Sequence, residues 1–414
     1  MHKNQALKFE YFIALKGRYS GKSSVSSIPV RIAMLSVGLS VAVMILSIAV
    51  LKGFQSEIRE KVAAFGDHLQ ISAYETTNSL EQQAIEVDST WLIPLKQLKG
   101  VRYIHVYGIK TGIIRTDEEI HGAIFKGVDK EFDWSFFASR LDEGQLPEMS
   151  DTVKNDEVII SAKVSQLLNL KTGDFLRMYF ISNEEALPRG RRFLISGVYR
   201  TGLDEFDDQY IFGHIRHIRK LNHWEDNQCS GLGIVLNDFN AMALMKDEIY
   251  SILPYDLNCR SLQDMYPQIF DWLELQDMNV WIIMILMTAV SAMALISILL
   301  ILILEQTSRI GLYKALGARN WQVRKAFLLL AGRIALKGIF WGSLFSLLIY
   351  FIQDYFHVIG LPESAYYMTY VPVKLHWFEV VAVIMVTFSI CLIALIIPSW
   401  LISRIHPVKA IRYE

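Results

Sequence analysis

Cysteine is scarce in this 414-residue sequence, which contains only three. Cys391 lies within a long apolar run, where a thiol acts as a small apolar side chain that fills space. Cys229 and Cys259 lie in a more polar region, and an oxidising compartment would permit a disulfide between them. Because sequence does not give the distance between two Cα atoms, this pairing stays open.

The common catalytic and metal-binding motifs are also missing. The sequence has no G-x-S-x-G nucleophile elbow, no H-E-x-x-H motif and no Cys/His nucleophile pattern. His214, His217 and His223 have a spacing that suits a metal site, but the Arg and Lys residues between them would repel a cation, so we expect a basic helix surface. The acidic stretch "GLDEFDD", residues 202–208, lacks the central Gly and final Glu of an EF-hand loop, so we expect a solvated turn. We predict neither a catalytic residue nor a metal site.

A phosphate-binding loop is present only in part. The stretch "KGRYSGKSSVSS", residues 16–27, contains Gly-Lys-Ser, but Gly17 and Gly21 enclose three residues where a P-loop requires four. The residues before it have a helical pattern instead of the strand that leads into a P-loop. We therefore interpret this segment as an elbow and predict that the chain itself binds no nucleotide or other cofactor.

Neither sign of charge dominates the sequence. Its 41 Lys and Arg residues are matched by 42 Asp and Glu residues, which leaves a formal net charge of −1. Because no basic domain is present, the sequence gives no reason to expect a nucleic-acid partner.

Long apolar runs are what the sequence does have. Hydrophobic residues make up 52% of the chain, and four runs have the length that crosses a bilayer. We predict membrane-spanning helices at 29–51, 280–304, 326–352 and 380–402. The first is too long for a signal peptide and no cleavage site follows it, so we interpret it as a retained anchor.

The distribution of Lys and Arg around these runs predicts their orientation. Basic residues are concentrated before the first run, between the second and third, and after the fourth, whereas the 353–379 loop is acidic. Under the positive-inside rule, both termini and the 305–325 segment face the cytoplasm. We therefore assign 1–28 to an interfacial helix and elbow, 403–414 to a cytoplasmic tail, and 353–379 to a short periplasmic loop.

The segment 52–279 has the composition of a globular domain. Helical spacing of apolar residues continues past the first run until Gly66, which indicates a stalk, and "DMYPQIFDWLELQDMNVW" indicates a second stalk. Between the stalks, short alternating apolar stretches are interleaved with helical ones. The predicted fold class is an integral membrane α-helical protein with four transmembrane helices and a large inserted α/β extracytoplasmic domain.

The stretch "LEQTSRIGLYKALGARNWQVRKAFL", residues 304–328, indicates a short amphipathic helix that begins near Thr307, ends at Gly317 and restarts at Trp321. Such a helix either connects two spans at the membrane surface or docks with a cytoplasmic partner.

The same stretch resembles the E-x-T-x-x-I-G-[ILT]-x-[KR]-A-[LI]-G-A signature of ABC-transporter permeases of the MacB/FtsX superfamily. The final "PSWLISRIHPVKAIRYE", residues 398–414, is similar to the closing pattern of that family, with Ile402 in place of a small residue. The stretches "NDEVIISAKVSQLLNLKTGDFLRM" and "FLISGVYRTGLDEFDDQYIF" resemble its lipoprotein-releasing (LolC/LolE-like) branch. The inserted domain is therefore expected to be a MacB-like periplasmic core domain.

The resemblance implies a permease subunit in the bacterial inner membrane that is not itself an enzyme. It implies a separate LolD-like ATPase subunit that binds ATP and Mg, a second permease copy or paralogue, and a lipoprotein substrate taken from the outer leaflet for transfer to the outer membrane. The ATPase-coupling residues would be Glu305, Thr307, Ile310, Gly311, Lys314, Ala315, Leu316, Gly317 and Ala318. Gln306 stands where the family commonly has Arg. Two alternatives are an FtsX-like complex that controls a cell-wall hydrolase and MacB-like export of small molecules or peptides.

The resemblance also suggests two further sites. Lipoprotein acyl chains would enter between the first two spans, where small and flexible side chains face each other: Ser40, Met44, Ser47, Met284, Met287 and Ser291. The alternative is ordinary helix packing by such residues. A LolA-like chaperone would dock at the loop 180–193, which is short here but contains Arg189, Arg191 and Arg192. In the third span, Arg333 and Lys337 either extend toward the nearer interface or have a function.

Overall fold

A computed structural model describes residues 27–74, 83–149, 156–180, 188–362, 366 and 368–400. The chain divides into two compact units. The membrane unit consists of residues 1–56, 272–360 and 370–414, and the outer unit consists of residues 57–271 and 361–369. The P-loop-like segment before residue 27 and the closing pattern after residue 400 lie outside the described residues.

Within the described part of the chain, four helices are long and apolar enough to cross a membrane. They are α1 (Ser27–Gly66), α9 (Pro267–Glu305), α11 (Asn320–Phe356) and α12 (Trp377–Ala394). A bilayer needs about 20 residues of helix, and α1 and α9 have 40 and 39. The first helix ends at Gly66, where the apolar spacing in the sequence breaks. The predicted fold class is confirmed.

The helices of the membrane unit share one apolar core. Residues of α1 (Val41, Met44, Ile45), α9 (Leu295, Leu299) and α11 (Ala331, Ile334) belong to it. At the crossing of α1 and α11, a Cβ at Gly342 would collide with the backbone of Gly38, and one at Gly338 would lie 2.8 Å from the Met34 carbonyl oxygen. Small residues allow this close backbone approach, which is a common basis of helix association in membranes.

A ten-stranded sheet forms the centre of the outer unit. Nine of its strands follow the order β12-β1-β11-β3-β4-β9-β6-β8-β5, and β7 pairs with β3 and β8. The strands are β1 (Leu69–Ala73), β3 (Val101–Arg115), β4 (Ile120–Val128), β5 (Leu141–Gly144), β6 (Glu157–Ser161), β7 (Phe175–Phe180), β8 (Arg189–Tyr199), β9 (Tyr210–His214), β11 (Gly231–Leu236) and β12 (Leu257–Ser261). A separate pair contains β2 (Ile85–Glu86) and β10 (Gln228–Cys229).

Short helices connect and cover these strands. They are α2 (Ser89–Lys96), α3 (Ser135–Ala138), α4 (Ala162–Leu168), α5 (Asp204–Asp207), α6 (Arg216–Asn222), α7 (Met242–Tyr250) and α8 (Leu262–Met265). The sequence pattern divides β3 into two runs, but the structure has one 15-residue strand. Gly108 and Gly112 lie in its middle, where a Cβ would lie 3.0 Å from Ile218 Cδ1 and 2.8 Å from Met178 Cε respectively.

Two expectations about polar stretches of the outer unit are wrong. His214 and His217 do not form an exposed basic surface, because both are buried and the ring of His217 lies 5.0 Å from that of Phe193. Asp207 is not in a solvated turn. Its carboxylate is buried and accepts hydrogen bonds from Thr201 and Gly202.

The described residues contain no cluster of His, Cys, Asp and Glu side chains that could hold a metal ion. Cys229, Cys259 and Cys391 are each buried and free, so the structure has no disulfide between Cys229 and Cys259.

Candidate functional site

The connector between α9 and α11 contains the short helix α10 (Thr307–Ala315), as the sequence pattern predicts. The chain bends at Gln306, and the bend leaves carbonyl groups at the end of α9 without their helical donors. The hydroxyl of Thr307 donates to two of them, Ile303 O at 3.0 Å and Leu304 O at 2.7 Å. Thr307 therefore satisfies carbonyl oxygens at the bend between α9 and α10, a contact that sequence reasoning did not identify.

Gly317 ends α10 with a paired set of backbone hydrogen bonds. Its φ is +95°, and its amide donates to Lys314 O at 3.1 Å while the amide of Ala318 donates to Tyr313 O at 3.0 Å. This is the Schellman arrangement, in which a glycine in the left-handed region turns the chain out of the helix. Arg319 then precedes α11, and its amide donates to Gln322 Oε1 at 2.9 Å. The connector thus has a defined conformation at both ends.

The two faces of the connector differ in exposure. Ile310 and Gly311 are buried, and Ile310 belongs to the membrane-unit core. Leu312, Leu316 and Trp321 are exposed, with Leu316 at 78%. We define these three side chains as the connector surface. Large exposed apolar side chains in a segment outside the predicted membrane spans are typical of a surface that another protein covers.

The predicted coupling residues therefore separate into three groups, of which Ile310 and Gly311 are the buried one. Glu305, Ala315, Leu316 and Gly317 are exposed, whereas Thr307, Lys314 and Ala318 are partly buried. Of the predicted coupling pair four residues apart, Gly311 is buried and Ala315 is exposed. Partial burial lowers the pKa of Lys314.

The predicted acyl-chain residues lie in the membrane unit, but several are packed inside it. Ser40, Met44 and Ser291 are buried, and Met284 and Met287 pack against the core. The Thr288 hydroxyl lies 3.5 Å from Met44 Sδ, which places α1 beside α9. Ser47 is partly buried. The acyl-chain role of these residues stays a prediction, and burial of Ser40, Met44 and Ser291 is also what ordinary helix packing predicts.

The three arginines of the predicted basic loop lie in a strand. Strand β8 contains Arg189, Arg191 and Arg192. It pairs antiparallel with β7, with Phe180 opposite Arg189 and Phe175 opposite Leu194. Residues 181–187 lie outside the described part. Arg189 donates to Leu221 O at 3.2 Å and lies 2.8 Å from His223 Nε2. The Arg192 guanidinium lies 3.5 Å from the centre of the Phe175 ring. The strand register thus fixes their positions in a hairpin. Arg333 and Lys337 are exposed on α11.

Sequence reasoning missed a buried ionic network at the end of α1. Lys126, on β4, has no exposed surface; its Nζ donates to Phe65 O at 2.6 Å and lies 3.4 Å from Asp67 Oδ2. His105 Nε2 lies 3.6 Å from the same carboxylate oxygen, and burial lowers the pKa of His105 to about 4. A cation at the carboxyl end of a helix interacts favourably with the helix dipole. The available signal was a lysine inside the apolar stretch "AIFKGV".

Two family models match the sequence. The model described as "MacB-like periplasmic core domain" matches residues 32–251, and the model described as "FtsX-like permease C-terminal" matches residues 281–407.

Curated relatives match over nearly the whole chain. The chain is 23% identical to the "Lipoprotein-releasing system transmembrane protein LolC" of Xylella fastidiosa, over 92% of this chain and 93% of the relative. It is 20% identical to the "Lipoprotein-releasing system transmembrane protein LolE" of Haemophilus influenzae, over 94% and 95%. Among solved structures, the periplasmic region of MacB from Actinobacillus actinomycetemcomitans matches 51% of this chain and 97% of that chain, with 13% identity and a TM-score of 0.35.

Proposed function

Because the chain belongs to the family of permeases that combine a MacB-like periplasmic core domain with an FtsX-like permease C-terminal domain, we propose that it uses ATP hydrolysis by a separate subunit to extract lipoproteins. The resemblance to the lipoprotein-releasing branch is confirmed by relatives that carry this name and match nearly the whole chain. The chain is accordingly a multi-pass membrane permease subunit, and the steps below concern how it works.

The connector surface carries the proposal. Leu312, Leu316 and Trp321 are exposed on a segment that the distribution of Lys and Arg assigns to the cytoplasm. An ATPase subunit that covers this surface would remove apolar area from water, which stabilises the complex by roughly 25 cal/mol for each Å² buried. The Schellman end at Gly317 and the Thr307 hydrogen bonds hold the helix in one conformation, so movement of the ATPase is passed to α9 and α11. ATP and Mg bind to the partner, and this chain supplies no nucleotide site.

The cargo is a lipoprotein in the outer leaflet of the inner membrane. The outer unit lies in the periplasm, both termini lie in the cytoplasm, and a second permease copy or paralogue completes the transporter. Acyl chains enter beside α1 and α9, where Met284 and Met287 are only partly buried; thioether side chains adapt to irregular apolar shapes. The released lipoprotein passes to a periplasmic LolA-like chaperone and on to the outer membrane.

A bulky residue at Gly317 tests the connector assignment. A Cβ at Gly317 has open space around it, so in Gly317→Trp an indole projects from the connector surface and strains the left-handed turn. We expect the variant to reach the membrane and to uncouple ATP hydrolysis from lipoprotein release, measured in proteoliposomes that contain the partner ATPase. Normal lipoprotein release by Gly317→Trp contradicts the assignment.

The outer unit provides a matched control. Gly173 has φ +91°, close to the +95° of Gly317, and a Cβ there also meets nothing within 4 Å. Gly173→Trp therefore introduces the same side chain with the same backbone strain, away from the connector. We expect coupling to stay normal in this variant.

Identification of bound partners tests the cargo. We would purify the tagged chain from native membranes in mild detergent and identify proteins and acyl groups by mass spectrometry. An ATPase subunit with triacylated lipoproteins that dissociate on ATP addition is the expected result. An ATPase with a cell-wall hydrolase and no lipoprotein would instead indicate the FtsX-like function.

A further inference from the structure

The loop between α11 and α12 contacts the first helix of the membrane unit at a glycine. Gly53 is buried, and a Cβ built there would collide with the Pro372 carbonyl oxygen and lie 2.7 Å from Val373 N. Both neighbours are backbone atoms, which cannot move aside as the end of a flexible side chain can. The loop therefore lies directly on the backbone of α1 at this position.

Two hydrogen bonds reinforce this contact on the same face of α1. The amide of Lys374 donates to Ala49 O at 2.9 Å, and Lys374 Nζ donates to Ser56 Oγ at 3.0 Å. Ala49, Gly53 and Ser56 follow one another at intervals of four and three residues, so they lie on one helix face. One segment of the loop is thus attached along about two turns of α1.

A buried glutamine at the end of α11 holds the loop from the other side. Gln353 is 4% exposed; its Nε2 donates to Ile359 O at 3.3 Å and to Val371 O at 2.9 Å, and its Oε1 accepts from the Ile359 amide at 3.0 Å. The amide of Val371 also donates to Ile359 O at 3.0 Å. A single side chain therefore joins both arms of the loop, residues 357–360 and 370–376, to α11.

We propose that these two arms form a strap that locks the outer end of α1 to α11, with Gly53 and Gln353 as its positioning residues, so that the two helices move as one body during transport. The strap contacts α1 at Gly53, whereas α1 and α11 cross at Gly38, Gly338 and Gly342, so the two attachments lie at different positions along α1. Two separate attachments prevent rotation of one helix about the other, which a single crossing point permits. The strap itself does not rest on the proposed function, whereas its behaviour during ATP turnover and its link to cargo release do.

Hydrogen exchange tests the strap directly. In the complete complex with its ATPase in nanodiscs, we expect slow exchange in peptides that contain Val371 and Lys374. Gly53→Ala should accelerate it about tenfold, since exchange follows the free energy of local opening. The matched control is Gly332→Ala in α11, where the new Cβ meets Leu392 Cδ2 at an ordinary 3.5 Å, and exchange should not change. Unchanged exchange in Gly53→Ala would overturn the proposal.

A second variant opens the strap without altering α1. Gln353→Met keeps side-chain length but removes all three hydrogen bonds, so the same peptides should exchange faster even if Gly53→Ala fails to assemble. Slow exchange in Gln353→Met would mean that Gln353 has no positioning role. During ATP turnover by the wild-type complex, these peptides should stay slow. A rise in exchange on ATP addition would refute the claim that α1 and α11 move together.

Lipoprotein release gives the functional outcome. We expect Gly53→Ala to hydrolyse ATP while releasing about tenfold less lipoprotein per ATP than Gly332→Ala. Normal release with an open strap would refute its role in transport. A wild-type complex that hydrolyses ATP without releasing lipoprotein would contradict the proposed function alone, because the exchange measurements still decide whether the strap exists and stays closed.

Discussion

Replacement of Lys126 by methionine should strongly destabilise the outer unit. Lys126 has no exposed surface, and Asp67 is 1% exposed, so Lys126→Met leaves the Asp67 carboxylate without its neutralising cation in a region that water does not reach. Removing one partner of a buried ion pair costs about 3–5 kcal/mol. For a domain of 150–250 residues, each kcal/mol shifts the unfolding midpoint by about 2–4 °C. The expected decrease is therefore about 6–20 °C.

The second partner provides the decisive comparison. Asp67 has φ +57°, a conformation that asparagine adopts more readily than most residues, so Asp67→Asn removes the charge and keeps the backbone. In the double variant Asp67→Asn/Lys126→Met no uncompensated charge is left. We expect it to be more stable than Lys126→Met by about 1–3 kcal/mol, because it no longer buries a carboxylate without a partner.

An exposed ion pair serves as the control. Lys246 Nζ lies only 2.6 Å from Asp264 Oδ2, but the two side chains are 33% and 43% exposed. Solvent screening limits such pairs to about 0–1 kcal/mol, so Lys246→Met should have little effect although its ion pair is the shorter one. Thermal unfolding of the full chain in detergent, followed by tryptophan fluorescence, measures all four variants. The reasoning would be refuted if the unfolding midpoint of Lys126→Met lay within about 3 °C of wild type, or if the double variant were no more stable than Lys126→Met.

Two further predictions concern pH and helix packing. Burial lowers the pKa of His105 to about 4, below the usual value near 6.5, so between these pH values the unfolded chain binds a proton that the folded chain does not. The contribution of His105 to the free energy of unfolding is therefore fully present above about pH 6.5, and up to about 3 kcal/mol of it is lost as the pH decreases to 4. The unfolding midpoint of His105→Gln should change less between pH 7.5 and 5 than that of wild type. In the membrane unit, Gly342→Leu should separate α1 from α11, because the Gly38 backbone occupies the space of its Cβ. Cysteine cross-linking between these helices should decrease in Gly342→Leu and stay normal in Gly332→Ala.

Much of the fold follows from local sequence. Runs of about 20 apolar residues have few alternatives to a membrane helix, and the connector helix could be predicted because its apolar spacing and Gly317 act within a few residues. The burial of Lys126 could not be predicted, since it depends on which strand lies beside the end of α1. His214 and His217 were misassigned for a similar reason. Their neighbours in sequence are charged, but their neighbours in space, such as Phe193, are not.

The strap could not be predicted because both of its attachments join residues that are distant in sequence to backbone atoms. Gly53 is one glycine in a long apolar helix, and nothing near it in sequence indicates that Pro372 lies against it. Gln353 similarly resembles any polar residue near the end of a span. Polar side chains there usually face water or headgroups, whereas this one is buried and joins two loop arms.

The glycines of this chain meet two different physical requirements, and the distinction decides how each responds to substitution. Gly317 has a positive φ and open space around it, so a side chain there costs backbone strain of about 1–2 kcal/mol and no collision. Gly53 lies in a helix, and the loop backbone leaves no space for a Cβ there. Alanine in place of Gly53 would therefore stabilise the helix by about 1 kcal/mol but displace the loop. A Gly53→Ala chain can therefore be helical and fully folded with its strap open. Stability measurements alone would miss that change, and hydrogen exchange at Val371 and Lys374 would detect it.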